Sequence, residues 1–88
     1  MTIDQSNKVF DVLKEYAGAH ESMRNDFVWN HTSPNKCSEY RFQGKLGFGG
    51  KYRSERNTVD CYREDETPER LEIIRVTNKK LSEIKSNF

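Results

Sequence analysis

Only two cysteines, Cys37 and Cys61, occur in the chain. They are too few for a disulfide framework, and no CxxC-type ligand pair is present to suggest a structural metal site. The opening MTIDQSNK has no apolar core of a secretory signal. No run approaches the length needed to cross a bilayer. A cytoplasmic protein with reduced thiols and no membrane partner is therefore expected, and in that compartment the glycosylation pattern Asn30-His31-Thr32 is inert.

Catalytic signatures are also missing. There is no HExxH, GxSxG or EF-hand pattern. His31, Asp60 and Glu64-Asp65-Glu66 are the residues available for acid–base or divalent-ion chemistry. The acidic triplet, however, directly precedes a helix start, where negative charge has a structural role. His20 falls on an apolar helical stripe and reads as a packed core histidine. Cys61 reads as a small buried apolar residue on a strand. The expectation is a protein that is not an enzyme and carries no metal or cofactor.

Charge of one sign is lacking overall, since the net is +1. It is nevertheless sorted along the chain: residues 1–35 carry −2, 36–56 carry +4, 57–72 carry −4 and 73–88 carry +3. Apolar residues are scarce at 33%, matching the 33% that are charged, so the core must be small. Five Phe, four Tyr and one Trp supply large buried areas per residue and argue for a folded chain. At 88 residues, two separate cores are not affordable, so residues 1–88 are expected to form one domain.

Three segments carry regular periodicity. Val9, Val12, Leu13, Tyr16, His20, Met23 and Phe27 recur at helical spacing and predict an amphipathic helix over 6–27, capped by Ser6 or Asp4. Ala17-Gly18-Ala19 is its weak point, marking either a break or close approach of another element. Residues 28–38 lose the period and predict an extended linker, with Val28 and Trp29 against the core and a turn at Ser33-Pro34-Asn35. Residues 39–63 predict three antiparallel strands. Tyr40 and Phe42 share one face, Val59 and Cys61 share one face, and Thr58, Asp60 and Tyr62 share the other. Thr67 and Pro68 open a helix over 68–86, with Leu71, Ile74, Thr77, Leu81, Ile84 and Phe88 as its stripe, widened by Ile73 and Val76. The predicted class is α+β: a small two-layer domain of helix, three-stranded antiparallel sheet and helix.

Two kinds of binding site are written into this pattern. Gly44-Lys45-Leu46-Gly47-Phe48-Gly49-Gly50-Lys51 is neither a P-loop nor a dinucleotide fingerprint, and a glycine-rich hairpin explains it structurally. Phe48, isolated among glycines, is either a core anchor or an exposed contact residue. A protein partner would be met by Trp29, Phe48, Tyr52 and Arg53, with Glu64 and Asp65 steering approach. A nucleic acid would be met by Lys45, Lys51, Arg53 and Arg56 interleaved with aromatics. Self-association through the wide stripe of the last helix gives a homodimer as a third outcome.

The stretch Leu46–Lys51 (LGFGGK), Cys61–Asp65 (CYRED) and Thr67–Arg70 (TPER) resembles a recurring segment of small uncharacterised bacteriophage proteins. The resemblance covers roughly the C-terminal half. It implies a phage origin rather than a mechanism; short non-catalytic phage proteins often act by binding a host protein, so a phage-type accessory protein in the host cytoplasm that binds and modulates a host protein is the expectation. Nucleic acid is the alternative partner.

Overall fold

The computed structural model describes residues 1–32 and 39–85. Three helices lie on one face of a three-stranded antiparallel sheet in the order α1 (Ile3–Ala17), α2 (Arg24–Thr32), β1 (Glu39–Gln43), β2 (Gly49–Arg53), β3 (Thr58–Cys61) and α3 (Pro68–Lys85). Short 3₁₀ turns occupy Glu21–Met23, Lys45–Gly47 and Arg63–Asp65. The strands form a meander, β1-β2-β3. This is the expected α+β arrangement.

The long first helix of the sequence reading is two helices. Thr2, rather than Ser6 or Asp4, begins α1: its hydroxyl accepts the Gln5 N–H at 3.1 Å, and the Gln5 side chain accepts the Thr2 N–H at 3.0 Å. Ser6 is instead fully buried, with its hydroxyl donating to the Ile3 carbonyl. The helix stops at Gly18, whose φ of 75° is left-handed. A Cβ there would also come within 2.5 Å of Lys45. Both meanings of the Ala17-Gly18-Ala19 weak point are thus realised together.

The break resets the helical phase, and two expectations change with it. His20 leaves the core, lies exposed, and accepts the Ser22 N–H through Nδ1 at 3.2 Å to start the following turn. Val28 and Trp29, expected to be extended, belong to α2. That helix is held by Phe27 and His31, one turn apart, both buried. The turn at Ser33-Pro34-Asn35, Cys37 and Phe88 lie outside the described residues. Helix α3 is described to Lys85. Thr67 caps it as expected, accepting the Arg70 N–H at 3.2 Å.

Register sorts the sheet into two faces. Tyr40–Tyr52–Val59 and Phe42–Gly50–Cys61 form rows facing the helices. Glu39–Arg53–Thr58 and Arg41–Lys51–Asp60 form rows on the opposite side. The core contains Val9, Phe10, Leu13 and Ala17 of α1, Phe27 of α2, Leu81 of α3 and the inner sheet rows. The α3 stripe is largely consumed here: Thr77 and Leu81 are fully buried, Ile74 and Ile84 are half-buried, and Leu71 alone among them is exposed.

Candidate binding face

Phe48 and Tyr52, read from the sequence as contact residues, are core residues. Both have 0% exposure. Phe48 packs edge-on against Phe42, with ring centroids 6.1 Å apart. Tyr52 sits 5.4 Å from Phe27 and 5.3 Å from His31, and its hydroxyl donates to Asn57 Oδ1 at 2.9 Å. Burial pushes its phenol well above the ordinary tyrosine value. Neither ring is available to a partner in this fold. Physical necessity explains the placement: the three strands have few large apolar side chains, so each inward position that carries one must bury it.

The remaining predicted residues divide between surfaces. Trp29 is 55% exposed on α2. Arg53 projects from the outer sheet face, 3.4 Å from Glu39. Lys51 occupies the same face one row along. Arg56 is exposed in the β2–β3 turn. Lys45 turns the other way, donating from Nζ to the Glu15 carbonyl at the end of α1 at 3.2 Å. Lys45, Lys51, Arg53 and Arg56 therefore do not make one continuous positive surface. Glu64 is exposed, while Asp65 is engaged with Arg70 at 3.4 Å.

The outer face has a centre that the sequence pattern did not single out. The Tyr62 ring lies against Gly49, where a Cβ would sit 3.1 Å from its Cδ2 and Cε2 atoms. The Lys51 ammonium stands 5.0 Å from the ring centroid and the Arg41 guanidinium 5.7 Å, so two cations flank one aromatic. Carboxylates balance them. Glu39 takes both Arg41 and Arg53 at 3.4 Å, and Asp60 stands beside Lys51 in register. Beside this cluster, a shallow cleft of about 180 Å³ is lined by Met23, Arg41, Phe42, Gln43 and Tyr62. Strand alternation alone carried the signal: it places Tyr62 with Thr58 and Asp60, away from Val59 and Cys61, and Arg41 between Tyr40 and Phe42.

The exposed apolar residue of the glycine-rich hairpin is Leu46, at 68% exposure and with a left-handed φ of 56°. Its carbonyl accepts from Arg70 at 3.1 Å, and the same guanidinium holds Asp65. The loop conformation is thereby fixed to the start of α3.

The residues considered for acid–base chemistry are not assembled. His31 is buried among Phe27, Tyr40 and Tyr52, and its Nε2 has no partner among the described residues. Burial first, and then the ammonium at Met1, push its pKa down to about 4. It is therefore neutral at pH 7. Asp60 is on the opposite sheet face, accepting the Cys61 N–H at 2.8 Å. The Cys61 thiol is pushed up by burial and by the carboxylates of Asp60, Glu66 and Asp65. Among the described residues, no group of three or more His, Cys, Asp or Glu could hold a metal, and no helix is long and apolar enough to cross a membrane. Comparison with known proteins finds no family model that matches the chain, no matching curated protein and no matching solved structure.

Proposed function

We propose that the protein is a small, non-catalytic, phage-type accessory domain that docks on a protein of the host cytoplasm and modulates it, using the face of its sheet opposite the described helices. The observation that carries this reading is Tyr62, seated over Gly49 between Arg41 and Lys51 on the sheet face opposite the helices. Tyrosine and arginine are the residue types that most often dominate interface energetics, and a ring already held in place loses little freedom on binding. The charge is mixed, three cations against Glu39 and Asp60, which suits a protein surface better than a phosphate backbone. The resemblance to small bacteriophage proteins supports a host protein as the target.

Affinity capture of the tagged protein from a bacterial host lysate tests this, with nuclease treatment and a salt series. The expected result is one host protein retained after nuclease and released by the paired substitution Arg41→Ala and Tyr62→Ala. Recovery of nucleic acid, with all captured protein lost after nuclease and with rising salt, would replace it with nucleic-acid binding.

A further inference from the structure

We propose that the open edge of β1 receives an extended segment of the partner polypeptide as a fourth strand, one that alternates apolar and acidic residues. This rests on the protein-binding reading and names the partner's form and chemistry.

The two edges of the sheet are treated differently. Gly44 N–H bonds the Phe48 carbonyl at 2.8 Å, which sets the alternation of the ladder. Phe42–Gly50 and Tyr40–Tyr52 are then the hydrogen-bonded pairs of β1 with β2, and Lys51–Asp60 and Arg53–Thr58 those of β2 with β3. The outward main-chain groups of β3 consequently belong to Val59 and Cys61. Three of them are taken: Asn78 of α3 accepts from Val59 N–H at 2.7 Å and donates to the Val59 carbonyl at 3.0 Å, while Asp60 accepts the Cys61 N–H. One asparagine amide thus stands in for a neighbouring strand.

On β1 the outward main-chain groups include those of Arg41 and Gln43. Among the described residues, no hydrogen bond reaches them. Both residues are exposed, and both line the cleft with Met23, Phe42 and Tyr62. A row of outward N–H and C=O groups is satisfied by an extended chain, and a cleft beside it selects alternate side chains.

Charge specifies what that chain carries. A residue opposite Arg41 joins the outer row, where Lys51 stands one strand further in. Asp60 already faces Lys51 from the far side of that row, and Glu39 divides its carboxylate between Arg41 and Arg53, so the outermost cation, Arg41, favours a carboxylate directly across from it. The residues before and after it fall on the inner side, next to Phe42 and Met23, and are apolar. A second copy of this chain fits poorly. Two-fold antiparallel pairing over the five residues of β1 sets Arg41 against Arg41, like charge directly opposite like charge.

Selection from a displayed library of random decapeptides against the full chain tests the proposal. Enriched peptides are expected to alternate acidic and apolar residues. A synthetic representative should protect the Arg41 and Gln43 amides from hydrogen exchange. Exchanging its acids for lysine should weaken it roughly tenfold, and Arg41→Glu should reverse that preference. Gln43→Pro removes an outward donor without touching the β1–β2 ladder, so it should weaken binding while leaving the circular dichroism unchanged. Enrichment of basic or aperiodic peptides, no enrichment, or a dimer through β1 in sedimentation equilibrium would each overturn the proposal. If a captured host protein depends on Tyr62 while the β1 amides stay unprotected, the edge proposal fails and the docking face stands. Capture that is lost to nuclease removes both.

Discussion

The two faces of these three strands are made from neighbouring residues, yet they obey different rules. On the inner face Gly50 lies under Phe42 and Phe48, and a Cβ there would come within 2.4 Å of one ring and 2.8 Å of the other. On the outer face Gly49, one residue earlier, lies under Tyr62 with its closest approach at 3.1 Å. Each glycine makes room for an aromatic. The inner rings are buried, whereas the Tyr62 ring is only half-buried and has the Lys51 and Arg41 cations over it. The same small residue serves packing on one side and presentation on the other. The contrast teaches that aromatic content alone does not identify a contact surface in a small domain; what matters is which side of the pleat each ring occupies.

The sharpest test of this contrast pairs two tyrosines. Tyr52→Ala should lower the unfolding free energy by about 3–5 kcal/mol in urea denaturation, because it empties the centre of the core and orphans Asn57. Tyr62→Ala should cost less than about 1 kcal/mol while removing partner binding. Similar losses from both would break the distinction between the faces.

On the inner side acid should act through His31. His31 has a folded pKa pushed down to about 4, against about 6.5 when unfolded. The unfolded chain therefore binds more protons across that window. His31's contribution is complete above pH 6.5 and is lost as pH falls towards 4, amounting to about 3 kcal/mol in all. Chemical denaturation across this pH range should show the decline, and His31→Phe should flatten it. A profile unchanged by that substitution would mean the ring is not closed in as described.

The adjacent glycines give a finer comparison. Gly50→Ala should destabilise by about 1–3 kcal/mol, since two core rings must move. Gly49→Ala should cost about 0.5 kcal/mol or less, because the Tyr62 ring can shift outward, but it should weaken partner binding. Thermal denaturation and binding measured together separate the two effects. The smallest expected change is favourable. Thr77 is fully buried, with a hydroxyl that finds no partner among the described residues. Thr77→Val keeps the shape and removes the unsatisfied group, so stability should rise by about 1 kcal/mol.

Much of this architecture is legible in the residues. Alternation in 39–43 and 58–62 assigns the correct faces, and Thr67-Pro68 marks the start of α3, because both rest on local stereochemistry. The first helix was harder to read. The apolar period runs through Gly18 unbroken, and only the tertiary approach of Lys45 shows why the chain must stop there. Helix α2, RNDFVWNHT, has poor intrinsic propensity and little amphipathic pattern, so its helicity comes from burying Phe27 and His31 rather than from anything local. The burial of Phe48 and Tyr52 is hidden from the sequence for a related reason. Whether Phe48 and Tyr52 point in or out depends on register against β1, which no single strand encodes. Tyr62 and Arg41 were visible to alternation, but their meeting over Gly49 needed all three strands in place.

The asparagine that seals β3 has a consequence for how this protein behaves when concentrated. Open-ended growth by sheet extension requires every copy to offer one live edge and accept on another, as in a heterologous contact that never closes. Here one side is capped by Asn78, so a chain of sheets cannot propagate. A second copy joined through β1 turns its own capped β3 outward, so the largest assembly of this chain available by this route is a closed pair. The cap therefore makes the sheet a terminator, protected against fibre formation by a single side-chain amide.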